Sequence, residues 1–215
     1  MGAPDREQVV RLTLDGVVHD GDLGVPEGAR GLVIFAHGSG SSRRSRRNRF
    51  VAETLRRAGL ATLLFDLLTE AEDGDYANRF NIELLKQRLL GATAWAQAQA
   101  ATRALAIGYF GASTGGAAAL EAAAALGVTV RAVVSRGGRP DLAMEALPRV
   151  RAPTLLIVGG ADYGVIGLNQ QAYEQIGAVK AFEIVPGATH LFEEPGALEE
   201  VARLAAAWFN RYLGV

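Results

Sequence analysis

The sequence predicts an α/β protein in which a mostly parallel, twisted sheet has helices on both faces. Short apolar runs bounded by glycine or proline alternate with longer segments whose apolar residues recur every three or four positions. The short runs are almost continuously hydrophobic, as strands buried on both faces are. The longer segments can carry the chain across the sheet to a parallel neighbour.

The predicted elements follow one another in a regular order. The first apolar run, at residues 9–14, leads into turn residues and not into a helix, so we expect an antiparallel hairpin at the start. Residues 66–80 form an acidic, glycine-containing connection that is long for its position. Strands are predicted at residues 9–14, 32–36, 61–65, 104–110, 132–135, 154–158 and 182–185, and helices at residues 46–58, 81–98, 114–125, 168–175 and 196–212.

The composition indicates one domain without a basic surface. The chain has 215 residues, 49% of them hydrophobic, which suits one sizeable core, so residues 1–215 are predicted to form a single unit. A net charge of −1 provides no field that would attract nucleic acid or an anionic membrane. Because the chain has no cysteine, the sequence excludes disulfides and a cysteine nucleophile.

The N-terminal stretch MGAPDREQVV is charged and lacks the apolar segment of a signal peptide or a membrane span. Arg6 stands where a myristoylation signal requires serine or threonine. We therefore expect a cytoplasmic protein without a membrane anchor.

A serine between glycines follows the strand predicted at residues 104–110. Gly111, Ser113 and Gly115 match the pattern G-x-S-x-G, with a strand before it and a helix after it, as a nucleophile elbow requires. Such a turn holds the serine at strained backbone angles, and small flanking residues prevent a clash between strand and helix. The start of an ordinary Gly/Ala-rich helix can have the same five-residue pattern. The strand before the pattern and the helix after it favour Ser113 as a nucleophile.

A serine hydroxyl needs a general base, and the base needs an anionic group that holds its tautomer. Among the three histidines, His190 lies in the loop after the last predicted strand. Asp162 follows the strand before it. Ser113, Asp162 and His190 therefore occur in the order of the nucleophile-elbow fold, each after a strand.

Alternatives exist for the acid and for the base. Asp66 also follows a predicted strand and is the competing acid, and Asp162 stands where it could cap the next helix. Glu193 is a less suitable acid, because it is only three residues from His190 in the sequence. His37 is the alternative base, although its place in a glycine-containing loop suits a histidine that steadies the loop.

Attack on a carbonyl group places negative charge on its oxygen, and backbone N–H groups can stabilise that charge. Thr114 follows the serine directly and is predicted to supply one of these groups. The loop HGSG comes after the strand predicted at residues 32–36, and its glycines let the backbone approach a substrate closely. Ser39 N–H is the predicted second donor.

Four segments together resemble the α/β-hydrolases, and among them the small, capless enzymes similar to dienelactone hydrolase. The resemblance covers nearly the whole chain and implies the α/β-hydrolase fold with little or no cap domain, together with a Ser-His-Asp triad. It implies a serine hydrolase that cleaves carboxylic esters or lactones of small molecules through an acyl-enzyme, a mechanism that needs neither metal nor cofactor. The segments are AHGSGSS at 36–42, GASTGG at 111–116, GGADYGV at 159–165 and PGATHLF at 186–192.

One departure weakens what the resemblance implies about the substrate. Enzymes of this group that open dienelactones carry cysteine at the elbow, where this chain has Ser113. Acyl transfer, thioester cleavage and amide cleavage would use the same residues. A ligand-binding protein with a vestigial triad is the alternative from a different functional class.

Arginines near two predicted strand ends favour an anionic substrate. Arg43 lies in the arginine-rich stretch SSRRSRRNRF, and Arg136 and Arg139 follow the strand predicted at residues 132–135. Since guanidinium groups bind carboxylates and phosphates, Arg43 and Arg136 are predicted to bind such a group on the substrate.

Both predictions have alternatives that involve no substrate. The arginine-rich stretch could form a solvated helix face, and Arg136 could form an ion pair with Asp66 or Asp162. Phe192 and Tyr163 are predicted to form an apolar wall of the pocket, although core packing also explains aromatic residues.

Overall fold

One sheet of eight strands runs through the computed structural model, which describes residues 7–214. Residues 1–6, which contributed to the expectation of a protein without a membrane anchor, lie outside the described residues. The strands are β1 (Glu7–Leu14), β2 (Val17–Gly24), β3 (Gly31–Ala36), β4 (Ala61–Phe65), β5 (Ala106–Ala112), β6 (Val130–Arg136), β7 (Thr154–Gly159) and β8 (Lys180–Val185).

Six α-helices connect or follow these strands within the described residues. None of them is both long enough and apolar enough to cross a bilayer. Short 3₁₀ turns also occur, one of them at Tyr76–Phe80. The helices are α1 (Arg46–Arg57), α2 (Glu70–Asp73), α3 (Ile82–Ala98), α4 (Thr114–Leu126), α5 (Tyr163–Gln175) and α6 (Ala197–Leu213).

The strand order is β1-β2-β4-β3-β5-β6-β7-β8, and the sheet is parallel from β4 onward in this order. Only β2 runs against its neighbours, so the predicted leading hairpin is present. Its two-residue turn, Asp15-Gly16, has φ values of 51° and 80°. Two left-handed residues give a hairpin turn whose twist matches that of the strands.

Helices cover both faces of the sheet, as predicted. Neighbouring side chains of a strand point to opposite faces. Accordingly, Tyr109 of β5 packs in the core beneath α3 and α4, together with Leu89 and Leu120. Phe110, the next residue, packs in the opposite core with Phe209 of α6.

Two local expectations differ from the structure. The long connection predicted at residues 66–80 contains a short helix, because Thr69 and Glu72 form a reciprocal capping box that starts α2. Helix α5 begins at Tyr163 and not at residue 168. Its first turns contain Gly164 and Gly167, which conceal the helical pattern in the sequence.

The turn between β5 and α4 is packed too tightly for side chains at its glycines. A Cβ atom on Gly111 would lie 2.5 Å from the Gly115 carbonyl oxygen, and one on Gly115 would lie 2.2 Å from the Ala36 carbonyl oxygen. Both neighbours are backbone atoms, which cannot move aside as a flexible side chain can. The glycines therefore let α4 start directly against the end of β3.

We expect Gly115→Ala to lower the free energy of unfolding by about 2–3 kcal/mol or more, because overpacking against fixed backbone is costly. Gly167→Ala is the matched control, since a Cβ at this exposed position in α5 meets nothing within 4 Å. The control should be neutral or more stable by roughly 0.5–1 kcal/mol. Urea unfolding measures both, and equal stability of the two variants would contradict the packing argument.

Candidate active site

Three of the predicted residues lie together at the carboxyl edge of the sheet. Ser113 follows β5 directly, Asp162 comes shortly after β7, and His190 lies in the loop after β8. Parallel strands bring their carboxyl ends to one edge, so residues far apart in the sequence meet there.

The imidazole of His190 lies between the serine and the aspartate. Its Nδ1 is 2.7 Å from Asp162 Oδ2, and its Nε2 is 3.3 Å from Ser113 Oγ. An ionised carboxylate only accepts hydrogen bonds, so Nδ1–H donates to Asp162. Nε2 is then left as an acceptor for the Ser113 hydroxyl. The arrangement can remove a proton from the serine and hold the imidazolium that results.

The backbone at Ser113 is left-handed, with φ 51° and ψ −122°. A non-glycine residue adopts such angles only where the surroundings impose them. Here the Ser113 carbonyl oxygen accepts hydrogen bonds from Gly116 N–H and Arg139 N–H. The Ser113 side chain makes no capping bond to α4, which leaves its hydroxyl to His190.

The structure distinguishes between the candidate acids by their partners. Asp162 stands at the N-cap of α5 but makes no side-chain capping bond, because its carboxylate binds His190. Asp66 accepts a hydrogen bond from Arg43 N–H and pairs with the Arg43 guanidinium. Asp162, and not Asp66, therefore contacts His190.

A cavity of about 140 Å³ opens beside the serine. Gly38 and Ser39 line it, and a Cβ on Gly38 would lie 3.0 Å from Ser113 Cβ, so the backbone of this loop passes close to the hydroxyl. Among residues 7–214, neither Ser39 N–H nor Thr114 N–H donates to another protein group. Thr114 is the first residue of α4, where N–H groups have no partner inside the helix.

His37 holds the loop that carries Ser39. Leu67 N–H donates to His37 Nε2, so Nδ1 carries the proton and donates to the Gly38 carbonyl oxygen at 3.0 Å. The C=O of Gly38 and the N–H of Ser39 belong to one planar peptide group and point in opposite directions. Fixing the carbonyl therefore fixes the direction of Ser39 N–H. Both ring nitrogens of His37 are occupied, which leaves neither for the role of base.

Arg136 brings an unpaired positive charge to the same cavity. The residue is 7% exposed, and its Nε and Nη1 find no hydrogen-bond partner among the described residues. The ion pairs with Asp66 or Asp162 considered above are not formed within residues 7–214. Burial, and then repulsion from Arg47, lowers the pKa of Arg136 to about 10. The guanidinium is therefore still protonated at neutral pH.

The prediction that Arg43 binds substrate is corrected by its surroundings. Its guanidinium lies within 3.3 Å of carboxylate oxygens of Asp20, Asp22 and Asp66. A cation already surrounded by three carboxylates has little to gain from a substrate anion. Arg43 instead ties β2 to the end of β4.

The aromatic wall predicted from Phe192 and Tyr163 is also absent from the described cavity. Phe192 is 1% exposed and packs in the core, with the Arg136 guanidinium 5.7 Å from its ring centre. Tyr163 begins α5 and is 81% exposed. Arg139 forms a bidentate pair with Asp141 and does not line the cavity.

Sequence reasoning missed Asn48, which lines the cavity from α1. It is 2% exposed, and its Oδ1 has no partner among residues 7–214. The sequence pattern could have predicted its burial, because Asn48 occupies the same face of α1 as the buried residues Val51, Ala52 and Leu55. A polar residue on a buried helix face commonly has a specific role.

The family model for dienelactone hydrolases matches residues 20–213, nearly the whole chain. The chain belongs to the dienelactone hydrolase family. The α/β-hydrolase fold predicted from the sequence is confirmed. This family member is 57% identical to a dienelactone hydrolase of known crystal structure from Anabaena variabilis, with a TM-score of 0.95 over 98% of this chain and 100% of that one.

Two further comparisons describe more limited likenesses. Est1E from Butyrivibrio proteoclasticus has a TM-score of 0.83 at 17% identity, over 96% of this chain and 99% of that one, which is a likeness of fold. A Mycobacterium tuberculosis protein that is named a phosphoribosyl transferase is 59% identical over 210 residues, 98% of this chain. The match covers 47% of that protein, so the chain spans about half the length of the curated relatives it matches.

The state of His37 predicts a dependence of stability on pH. Burial lowers the pKa of His37 below its usual 6.5, so the folded protein keeps the ring neutral where the unfolded chain binds a proton. His37 therefore makes its full contribution to the free energy of unfolding above pH 6.5. Below pH 6.5 this contribution falls by up to roughly 1.4 kcal/mol per pH unit, until the pKa of the folded state is reached.

Urea unfolding of wild type and His37→Gln between pH 7.5 and pH 5 tests this prediction. The stability advantage of the wild type should narrow as the pH falls, because only the wild type carries this titration. Other acidic and basic groups affect both proteins alike. A constant difference over the whole pH range would contradict the role of a buried, neutral His37.

Proposed function

We propose that this chain is a serine hydrolase that cleaves carboxylic esters or lactones of small molecules through an acyl-enzyme intermediate. The observation that supports this most is the position of His190, within hydrogen-bond distance of both Ser113 Oγ and Asp162 Oδ2. Membership of the dienelactone hydrolase family supports the same class of reaction.

In the proposed first half-reaction, His190 Nε2 takes the hydroxyl proton while Ser113 Oγ attacks the carbonyl carbon. Asp162 holds the imidazole in the correct tautomer and stabilises the imidazolium. The negative oxygen of the tetrahedral intermediate accepts hydrogen bonds from Thr114 N–H and Ser39 N–H, each worth about 3–4 kcal/mol. His190 then gives its proton to the leaving alkoxide, and the acyl-enzyme remains.

In the second half-reaction, water attacks the acyl-enzyme while His190 Nε2 takes its proton. The His190 imidazolium then returns that proton to Ser113 Oγ as the tetrahedral intermediate collapses and the carboxylic acid leaves. Thr114 N–H lies at the positive end of α4, which favours negative charge at both intermediates. In this proposal Ser113 is the nucleophile, His190 acts as base and then as acid, and two backbone N–H groups bind the oxyanion.

Three alternatives to ester or lactone hydrolysis differ in how well they fit this site. Phosphoribosyl transfer is not extended to this chain, because the chain matches less than half of the relative that carries that name. Thioester cleavage, amide cleavage and acyl transfer would use the same three side chains as ester hydrolysis. Only assays with different substrates can tell these reactions apart. A binding protein with a vestigial triad would have no use for a hydroxyl aligned with a base.

We further propose that the substrate carries a negative charge near the scissile bond. Arg136 is buried, protonated and without an anionic partner among the described residues, and it shares the cavity with Ser113 and His190. An unpaired buried charge is costly, and a substrate carboxylate would offset that cost. The second cation of the cavity, Arg47, lies on α1.

We expect Ser113→Ala to lower kcat for ester hydrolysis by roughly 10⁴- to 10⁶-fold, since the remaining oxyanion donors and binding give only weak catalysis. A fluorophosphonate probe should label the folded wild type at Ser113 and should not label the variant. Turnover of a panel of esters, lactones and thioesters provides the rate measurement. Wild-type rates in the variant, or an unlabelled wild type, would contradict the proposed function.

The charge preference is measured with phenyl acetate and 4-acetoxybenzoate, which differ by a carboxylate on the leaving group; monophenyl glutarate places the charge on the acid side. We expect kcat/KM to favour one of the charged esters by about tenfold or more, as hydrogen bonds to charged groups are worth roughly 1.5–3 kcal/mol. Arg136→Met should remove most of this preference. Arg139→Met is the control, and an equal loss there would contradict the role of Arg136.

A further inference from the structure

The second cation of the cavity already has an internal anion. Arg47 Nη1 lies 2.6 Å from Glu193 Oε1, and this ion pair joins α1 to the loop that carries His190. Arg47 lines the cavity together with Ser113 and Arg136, whereas Glu193 stands outside the lining with its side chain 62% exposed. The carboxylate therefore approaches Arg47 from the solvent side of the cavity.

The guanidinium of Arg47 is only partly satisfied by this pair. Its Nε is buried and has no hydrogen-bond partner within residues 7–214. Arg136, the other cation, has no carboxylate partner at all in this part of the chain. An anion that enters the cavity thus meets one free guanidinium and one that Glu193 partly occupies.

The loop after β8 does not depend on the ion pair for its shape. Phe192 has a left-handed backbone with φ 56°, and its buried ring anchors the turn in the core. Thr189 Oγ1 donates to Glu194 Oε1, and Phe192 N–H donates to the Thr189 carbonyl oxygen. Asp162 holds His190 itself. Glu193 is therefore free to exchange its partner without moving the base.

We propose that Glu193 is a specificity-determining residue: its carboxylate competes with the substrate anion for Arg47 and so sets how tightly the cavity binds negatively charged esters. This inference rests on the proposed hydrolase function. An anionic substrate must displace Glu193 from Arg47, and a neutral ester need not. Glu193 would thus weaken the binding of charged substrates selectively.

The test compares the KM value of the charged ester that the wild type prefers with the KM value of phenyl acetate for Glu193→Gln, which keeps the shape of the side chain and removes its charge. We expect the KM of the charged ester to fall about threefold relative to that of the neutral ester, the size of effect that exposed ion pairs support. Glu53→Gln is the matched control, because Glu53 pairs with Arg57 on the exposed part of the same helix. It should leave the KM ratio as in the wild type.

A second comparison separates competition from positioning. In an Arg47→Met background, Glu193→Gln should no longer change the KM ratio, because the contested cation is gone. A fall in kcat for both esters, an equal change in both KM values, or an unchanged ratio in the single variant would overturn the proposal. Failure of the hydrolase function would be recognised separately, as a wild type that turns over neither ester and is not labelled at Ser113.

Discussion

The left-handed turn at Ser113 is the constraint on which the rest of the site depends. Backbone in this region costs roughly 1–3 kcal/mol, and it persists because Gly111 and Gly115 allow α4 to start against the end of β3. The same close approach brings the Gly38 backbone beside the serine. One packing solution therefore positions the hydroxyl, the positive end of a helix and the neighbouring loop at once.

The arginines around the site illustrate how burial and partners give one residue type different roles. Arg43 and Arg136 are almost equally buried, yet three carboxylates surround the first and none pairs with the second among the described residues. The first is a structural cross-link between strands. The second keeps its charge available to the cavity, at a cost in stability that a bound anion would offset.

Much of the fold followed from the sequence, because unbroken apolar runs and helical periodicity are local signals. The order Ser113, Asp162, His190, each after a strand, was also readable, since parallel strands end at one edge. The partners of Arg43 were not readable, because they come from β2 and from the end of β4. The early start of α5 was hidden by its glycines. Local sequence patterns thus predicted the helices and strands. Contacts between distant parts of the chain decided which charged side chains have ion-pair partners.

The position of β8 at the margin of the sheet has a consequence for how the molecule loses function. This strand pairs only with β7, and most of its residues are partly or fully exposed. Margins of this kind open at lower free energy than a sheet centre. Fraying there would carry the His190 imidazole away from Ser113, which follows the central β5, so mild heating would stop the proposed reaction while most of the core is still intact.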